Sequence, residues 1–216
     1  MTEPQFPRLD FDAFYRGESP AEGVPGTATV PWDTKAPKES VIGWHERGLV
    51  RGAVLDVGCG LGDNAIYLAR QGFTVTGVDI SATALITAER RAADAQADVR
   101  FAVADATELA GYTDAFDTVV DSGMFHCLAP ADRPRYAAAA HRATRSGATL
   151  LLSCFSDANP PDAERPLPGL TEAQVREVWD GPGWQVASLE RTAVHREGWG
   201  GEMHFFSVQA TRVPTR

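Results

Sequence analysis

Residues 53–64, AVLDVGCGLGDN, constrain this chain more than any other stretch. A short apolar run of Ala53, Val54, Leu55 and Val57 leads into Gly58, Gly60 and Gly62 at alternate positions. Ala65, Ile66, Leu68 and Ala69 then follow at helical spacing. This succession predicts a buried strand, a tight turn and a helix N-terminus. Glycine lets the backbone turn sharply and lets a ligand approach it closely. The helix start adds N–H groups that have no partner within the helix. In open α/β sheets a cofactor binds at such a turn.

A carboxylate stands at a matching distance. FTVTGVDIS, residues 73–81, closes its apolar alternation at Asp79, 21 residues beyond Gly58. In a βαβ unit that position ends the second strand, where an acid meets ribose hydroxyls. The remaining pattern predicts strands over 74–78, 99–103, 118–121 and 149–155. Helices are expected over 38–49, 82–95 and 133–144, with another beginning at Thr171. A short helix capped by Asp10 stands near the N-terminus, and residues 186–194 and 203–211 pair antiparallel at the end. The whole reads as one α/β domain over 1–216. Its expected architecture is a doubly wound, Rossmann-like, mostly parallel seven-stranded sheet. One antiparallel strand lies near the C-terminus, and helices cover both faces. Residues 1–50 form an N-terminal lid and helical segment, and 51–216 form the core.

Composition excludes several classes. The 216 residues, 44% hydrophobic, suffice for one full core. No apolar run approaches the roughly 20 residues that span a bilayer, so no membrane partner is expected. The start, MTEPQFPRLDFD, lacks a basic or apolar leader pattern, which predicts a cytoplasmic protein. A net charge of −9 opposes binding to a phosphate backbone, so nucleic acid is not an expected partner. Cys59, Cys127 and Cys154 are scattered, which predicts neither a disulfide framework nor a metal site. The adjacent His126 and Cys127, read as strand residues, would point to opposite faces.

Four segments in order, DVGCGLGDN, GVDIS, VADATEL (103–109) and FDTVVDSGMFHCL (116–128), resemble the motifs of class I S-adenosylmethionine-dependent methyltransferases. The resemblance covers about residues 30–155. PWDTKAP at 31–37 is similar to the thiol, halide and thiopurine S-methyltransferase and tellurite-resistance branch. The resemblance implies S-adenosyl-L-methionine as cofactor and assigns candidate roles. Asp56 helps hold the methionine end through the turn or a water, or else only stabilises the turn. Gly58 and Gly60 let the cofactor approach. Asp79 bonds the ribose, and Ile80 packs against adenine or belongs to the core. Asp105 meets the adenine amino group, with the Ala106 N–H near a ring nitrogen; Asp105 can also cap the turn at Thr107. Trp32 folds over the cofactor or anchors its loop.

Two further residues are candidates for the chemistry. Asp121 ends strand four, where the resemblance puts the transfer centre; there it faces the sulfonium, positions substrate, or is a structural strand-end acid. His126 is either a base, since its ordinary pKa lies near neutrality, or a packing residue. DSGM replaces the Asn/Asp-Pro-Pro-Tyr/Phe motif of enzymes that methylate exocyclic base amines, which again disfavours nucleic acid. The Pro-Trp-Asp resemblance, the missing amine-type motif and the lack of a clear acid/base dyad together imply a small-molecule substrate: a thiol, a halide or a heteroaromatic sulfur, nitrogen or oxygen. Its pocket is expected to be apolar, with Trp32, Phe125 and Trp199 near the methyl group. Two other classes stay open: a non-catalytic S-adenosylmethionine-binding protein and a nicotinamide oxidoreductase. Asp63 in place of the third glycine of G-x-G-x-x-G argues against the second.

Overall fold

The computed structural model describes residues 9–27, 29–159, 167–196 and 201–214. Seven strands form one sheet: β1 (Ala53–Val57), β2 (Thr74–Asp79), β3 (Val99–Val103), β4 (Phe116–Ser122), β5 (Thr144–Phe155), β6 (Trp184–Arg196) and β7 (Gly201–Arg212). Their order is β3-β2-β1-β4-β5-β7-β6. All pairings from β3 through β5 are parallel, while β7 runs antiparallel to both β5 and β6. This is the expected mixed sheet. The strand order reverses between β1 and β4, the place where open α/β sheets bind ligands. The helices are α1 (Phe11–Arg16), α2 (Glu39–Glu46), α3 (Asp63–Arg70), α4 (Ala82–Asp94), α5 (Arg133–Ala143) and α6 (Glu172–Trp179). No helix among the described residues is long and apolar enough to cross a membrane.

Local chemistry explains the boundaries. Asp10 caps α1 by accepting the N–H groups of Asp12 and Ala13, and Thr171 forms a capping box with Gln174 on α6. The helix expected over 38–49 stops at Glu46, because the chain turns through Gly48 at φ +68°. β5 starts five residues earlier than expected. Thr144 ends α5 already in an extended conformation, so the helix passes into the strand without a loop. His126 and Cys127 lie in a 3₁₀ turn, Phe125–Cys127, and not in a strand. The argument from alternating strand faces therefore does not apply to them.

Side chains alternate between two cores. Along β5, Leu150 and Leu152 enter one apolar cluster and Leu151 the other; along β4, Val119 and Val120 divide the same way. Both sheet faces are thus covered, as near-continuous apolar strands require. Trp179 lies at the heart of the larger cluster, with ring centroids of Phe125, Tyr136 and Trp184 at 5.5, 5.4 and 5.5 Å. Replacing Trp179 by Ala leaves a cavity among rigid rings. It should cost about 3–5 kcal/mol in urea unfolding with an unchanged slope; a loss below about 1 kcal/mol would show that the cluster collapses around the gap.

Candidate active site

The glycine turn after β1 is wound around a buried carboxylate. Asp79 Oδ2 accepts the Gly60 N–H at 2.8 Å, and Oδ1 accepts the Ser81 N–H at 2.9 Å. Gly58, Gly60 and Gly62 all adopt positive φ, a region costly for any residue with a Cβ. Space is equally restrictive. A Cβ on Gly58 would lie 2.6 Å from the Met124 side chain, and one on Gly60 would lie 2.9 Å from the Tyr15 hydroxyl. The turn forms the floor of a cavity of about 770 Å³ at the carboxyl ends of the parallel strands. Specific ligand sites commonly fall in the range of roughly 300–1,000 Å³.

The N-terminal segment roofs this cavity through long-range polar anchors. Asp12 on α1 accepts hydrogen bonds from the Ser81 hydroxyl and from the Thr83 backbone and hydroxyl at the start of α4. Those bonds hold its carboxyl below the usual range. Asp33 forms a two-pronged pair with Arg91 at 2.8 and 2.9 Å, and Arg91 also reaches Asp63 at 2.9 Å. The Lys38 ammonium donates to the Trp32 carbonyl at 2.7 Å. So held, Trp32 packs edge-on against Phe14 and Tyr15 and donates its indole N–H to the Tyr15 hydroxyl at 3.0 Å.

Beneath the floor, Asp56 and Asp121 are fully buried and do not line the cavity. Asp121 Oδ1 accepts the Met124 and Phe125 N–H groups at 2.9 and 3.2 Å, which draws the chain out of β4 into the 3₁₀ turn. The Tyr136 hydroxyl stands against Asp121. Among the described residues, neither it nor the Oδ2 atoms of Asp56 and Asp121 complete a hydrogen bond of good geometry. Burial pushes Asp56 up to about 8, aided by the neighbouring charge of Asp121, and pushes Asp121 up to about 7 against the backbone N–H groups that favour its charge.

The far end of the cavity lies over the antiparallel strands. Phe155 and Phe205 face each other across β5 and β7 with ring centroids 5.2 Å apart, and the His126 ring sits 4.2 Å from Phe155. Ser153, Ser207 and Thr192–Val194 complete this wall.

Several residues expected from sequence meet here. Trp32, Gly58, Gly60, Asp79, Ile80, Asp105, Ala106 and His126 all line the cavity. Ile80 is 58% exposed, so it is a wall and not core. Asp105 also accepts from the Thr107 N–H at 2.7 Å, so its capping contact is present too. Phe125 departs from expectation: its place in the 3₁₀ turn sends its ring into the core with Tyr136 and Trp179, away from the cavity. Asp121 ends β4 as expected but turns beneath the floor. Trp199 lies outside the described residues. Sequence reasoning missed Arg91 and the hydrogen bond from Trp32 to the Tyr15 hydroxyl. No local signal marks Arg91, because its partners Asp33 and Asp63 lie 58 and 28 residues away in the chain.

Comparison with known proteins agrees with this geometry. A family profile described as a methyltransferase domain matches residues 54–147. The chain is 34% identical to the 2-heptyl-1-hydroxyquinolin-4(1H)-one methyltransferase of Mycobacteroides abscessus, over 88% of this chain and 91% of the relative. A solved structure described as concerning conversion of a disulfide bond into a thioacetal group during echinomycin biosynthesis superposes with a TM-score of 0.80. It is 33% identical and covers 94% of this chain and 90% of its own. TehB of Haemophilus influenzae has a TM-score of 0.66 and 21% identity over 84% of this chain and 64% of its own, a likeness of fold alone.

The two raised carboxyls give a test. Both are favoured in protonated form by folding, since their folded pKa values exceed the unfolded value of about 3.9. Their contribution is therefore complete below about pH 4 and is lost as pH rises through about 7 and 8. Denaturation of the ligand-free protein should show stability falling by on the order of 1–3 kcal/mol between about pH 5 and 9. Asp121→Asn keeps an acceptor for Met124 and Phe125 without a titrating proton, and should lessen that fall. A variant curve as steep as wild type would contradict the assignment.

Proposed function

Because this chain belongs to the S-adenosylmethionine-dependent methyltransferases, we propose that it methylates a small, flat, largely apolar acceptor. The accepting sulfur, oxygen or nitrogen is soft or already ionised at neutral pH. The observation that carries this reading is the aromatic wall of His126, Phe155 and Phe205 at the far end of the cavity, with no carboxylate bonded to His126 among the described residues. Such a wall suits a planar acceptor, and an acceptor that ionises unaided needs no paired base.

The residues present suit the cofactor. The glycine turn leaves a cradle that a Cβ would fill, Asp79 offers a carboxylate at its edge, and Ile80 presents an exposed apolar side chain. We assign Asp79 to the ribose, Ile80 and the Asp105–Ala106 edge to adenine, and Gly58, Gly60 and Trp32 to close approach around the methionine end. Asp56 and Asp121 act from below by shaping the turns that floor the cavity. When bound, S-adenosylmethionine supplies an electrophilic methyl group on a sulfonium. The chain's part is to hold the acceptor in line and exclude water, and orientation of this kind can contribute roughly 7–11 kcal/mol.

The relatives support the acceptor class from two sides. One is described as acting on a hydroxyquinolinone, and the other as taking part in chemistry at sulfur. A thiol or thiopurine acceptor is a narrower form of the same proposal, and a halide falls outside it.

Two measurements test it. The protein should bind S-adenosylmethionine by calorimetry and show no comparable affinity for NAD. Asp79→Ala removes charge-assisted hydrogen bonds and should weaken binding roughly 10- to 100-fold; unchanged affinity would remove Asp79 from the site. In a turnover assay, thiophenols and 1-hydroxyquinolin-4-ones should be methylated, at rates that rise with pH until the acceptor itself is ionised. Methylation of DNA, RNA or protein, with none of small molecules, would overturn the reading.

A further inference from the structure

His126 combines four features that no acid/base role requires. Its ring is 5% exposed and lines the cavity. Its Nδ1 faces the backbone N–H of Phe155 at 3.4 Å. A backbone N–H can only donate, so Nδ1 is the accepting nitrogen and the neutral ring carries its proton on Nε2. Nε2 has no partner among the described residues, yet it is not one of their sealed, unsatisfied atoms. On a cavity-lining ring, that leaves the Nε2–H open to the cavity.

The charges around the ring point the same way. Among the described residues, the charged group acting on it is the Arg133 guanidinium of α5, whose Nε donates to the Leu128 carbonyl at 3.1 Å. Asp121 of β4 is occupied by the Met124 and Phe125 amides, and Cys154 of β5 is a buried neutral thiol. Burial and Arg133 lower the imidazole to about 3. A histidine base needs a lone pair toward the substrate and a carboxylate behind to steady the cation that forms. Here the lone pair is turned toward the backbone, and the charge behind is positive.

We propose that His126 is a fixed hydrogen-bond donor to the methyl acceptor, and that it selects acceptors whose anion is shared between two heteroatoms. One heteroatom takes the Nε2–H while the other attacks the methyl group. A donor placed on the attacking atom itself would compete for the reacting lone pair; a donor on its conjugated partner holds the anion in place and favours its ionised form. Phe155, which bonds His126 through its backbone and stacks on it through its ring, sets both the tautomer and the plane. This inference rests on the methyl-transfer reading above.

The test separates the two ring nitrogens. Asn at this position can supply an acceptor where Nδ1 stood, and Gln a donor where Nε2 stood. The matched probes are 2-mercaptobenzothiazole, whose anion is shared between nitrogen and sulfur, and thiophenol, whose anion is not. Relative to wild type, His126→Asn should raise KM for 2-mercaptobenzothiazole roughly 10- to 100-fold, the range for a hydrogen bond to a charged group. His126→Gln should recover most of that loss. Both variants also remove a ring from the acceptor wall and lower thiophenol turnover, so the diagnostic is the ratio: the loss on 2-mercaptobenzothiazole should exceed that on thiophenol by roughly tenfold or more in His126→Asn and match it within about threefold in His126→Gln, with calorimetric affinity for S-adenosylmethionine retained. Nitrogen-15 NMR of the histidine-labelled protein with cofactor should show an Nε2–H tautomer that does not titrate between about pH 5 and 8. An Nδ1–H tautomer, or a titration in that window, overturns the proposal. So does equal loss on both probes in both variants together with disappearance of an enzyme ionisation from the pH–rate profile. If no small acceptor is methylated, the methyl-transfer reading fails, while the tautomer still decides whether His126 is a donor.

Discussion

Three neighbouring parallel strands each carry an aspartate to the same edge of the sheet, and the site is built around taking those carboxyls out of water. Asp56 on β1, Asp79 on β2 and Asp121 on β4 are all buried. A carboxylate without partners in such a place is costly, so the chain winds its turns about them. The Gly60 and Ser81 amides satisfy Asp79, those of Met124 and Phe125 satisfy one oxygen of Asp121, and the Ala65 amide serves Asp56. The turns that receive the ligand therefore take their shape from the acids beneath them. The glycines follow from this arrangement, because the turn around Asp79 passes through positive φ with Met124 and Tyr15 pressed against it.

What could be read from sequence divides along chain separation. The glycine turn, the strand-end acids and the helix caps are local, and each has a residue type with a mechanism: glycine for φ, Asp and Thr for caps. The roof is not local. Arg91 lies 58 residues from Asp33, and Asp12 lies 69 and 71 residues from Ser81 and Thr83. Taken alone, Arg91 on an alanine-rich helix reads as a solvated charge, and Asp12 as a helix-start acid. Phe125 and Asp121 show a subtler limit. Their spacing locates the end of β4, but the Asp121 side chain captures the next two free amides and coils the chain. Those two local bonds to one carboxyl oxygen send Phe125 into the core and leave His126 at the cavity wall.

The sheet also divides the labour of the cavity. Its first half, the parallel strands β1 to β4, supplies turns whose geometry depends on backbone amides and small residues. The second half depends on side chains. Because β7 enters antiparallel, Phe205 stands opposite Phe155 and Ser207 opposite Ser153, and β6 brings Thr192–Val194 to the same wall. Substitution in that hairpin can recast this wall without disturbing the amides around Asp79. Trp44 of α2 links the two halves through its indole N–H, 3.4 Å from the Ser207 hydroxyl.

That separation gives His126 its position. It lies in the turn leaving β4, the last strand shaped by a buried acid, and it rests on Phe155, the first residue of the acceptor wall. Its backbone is set by the Asp121 turn and its ring by the β5 strand end, so neither its orientation nor its tautomer is free to follow the substrate. A group fixed in that way is poorly suited to collecting a proton, which would place a second positive charge beside buried Arg133. It is well suited to presenting one N–H in one direction. The cost of orientation is then met by folding and not at the moment of reaction, which is the condition under which a single hydrogen bond discriminates between acceptors.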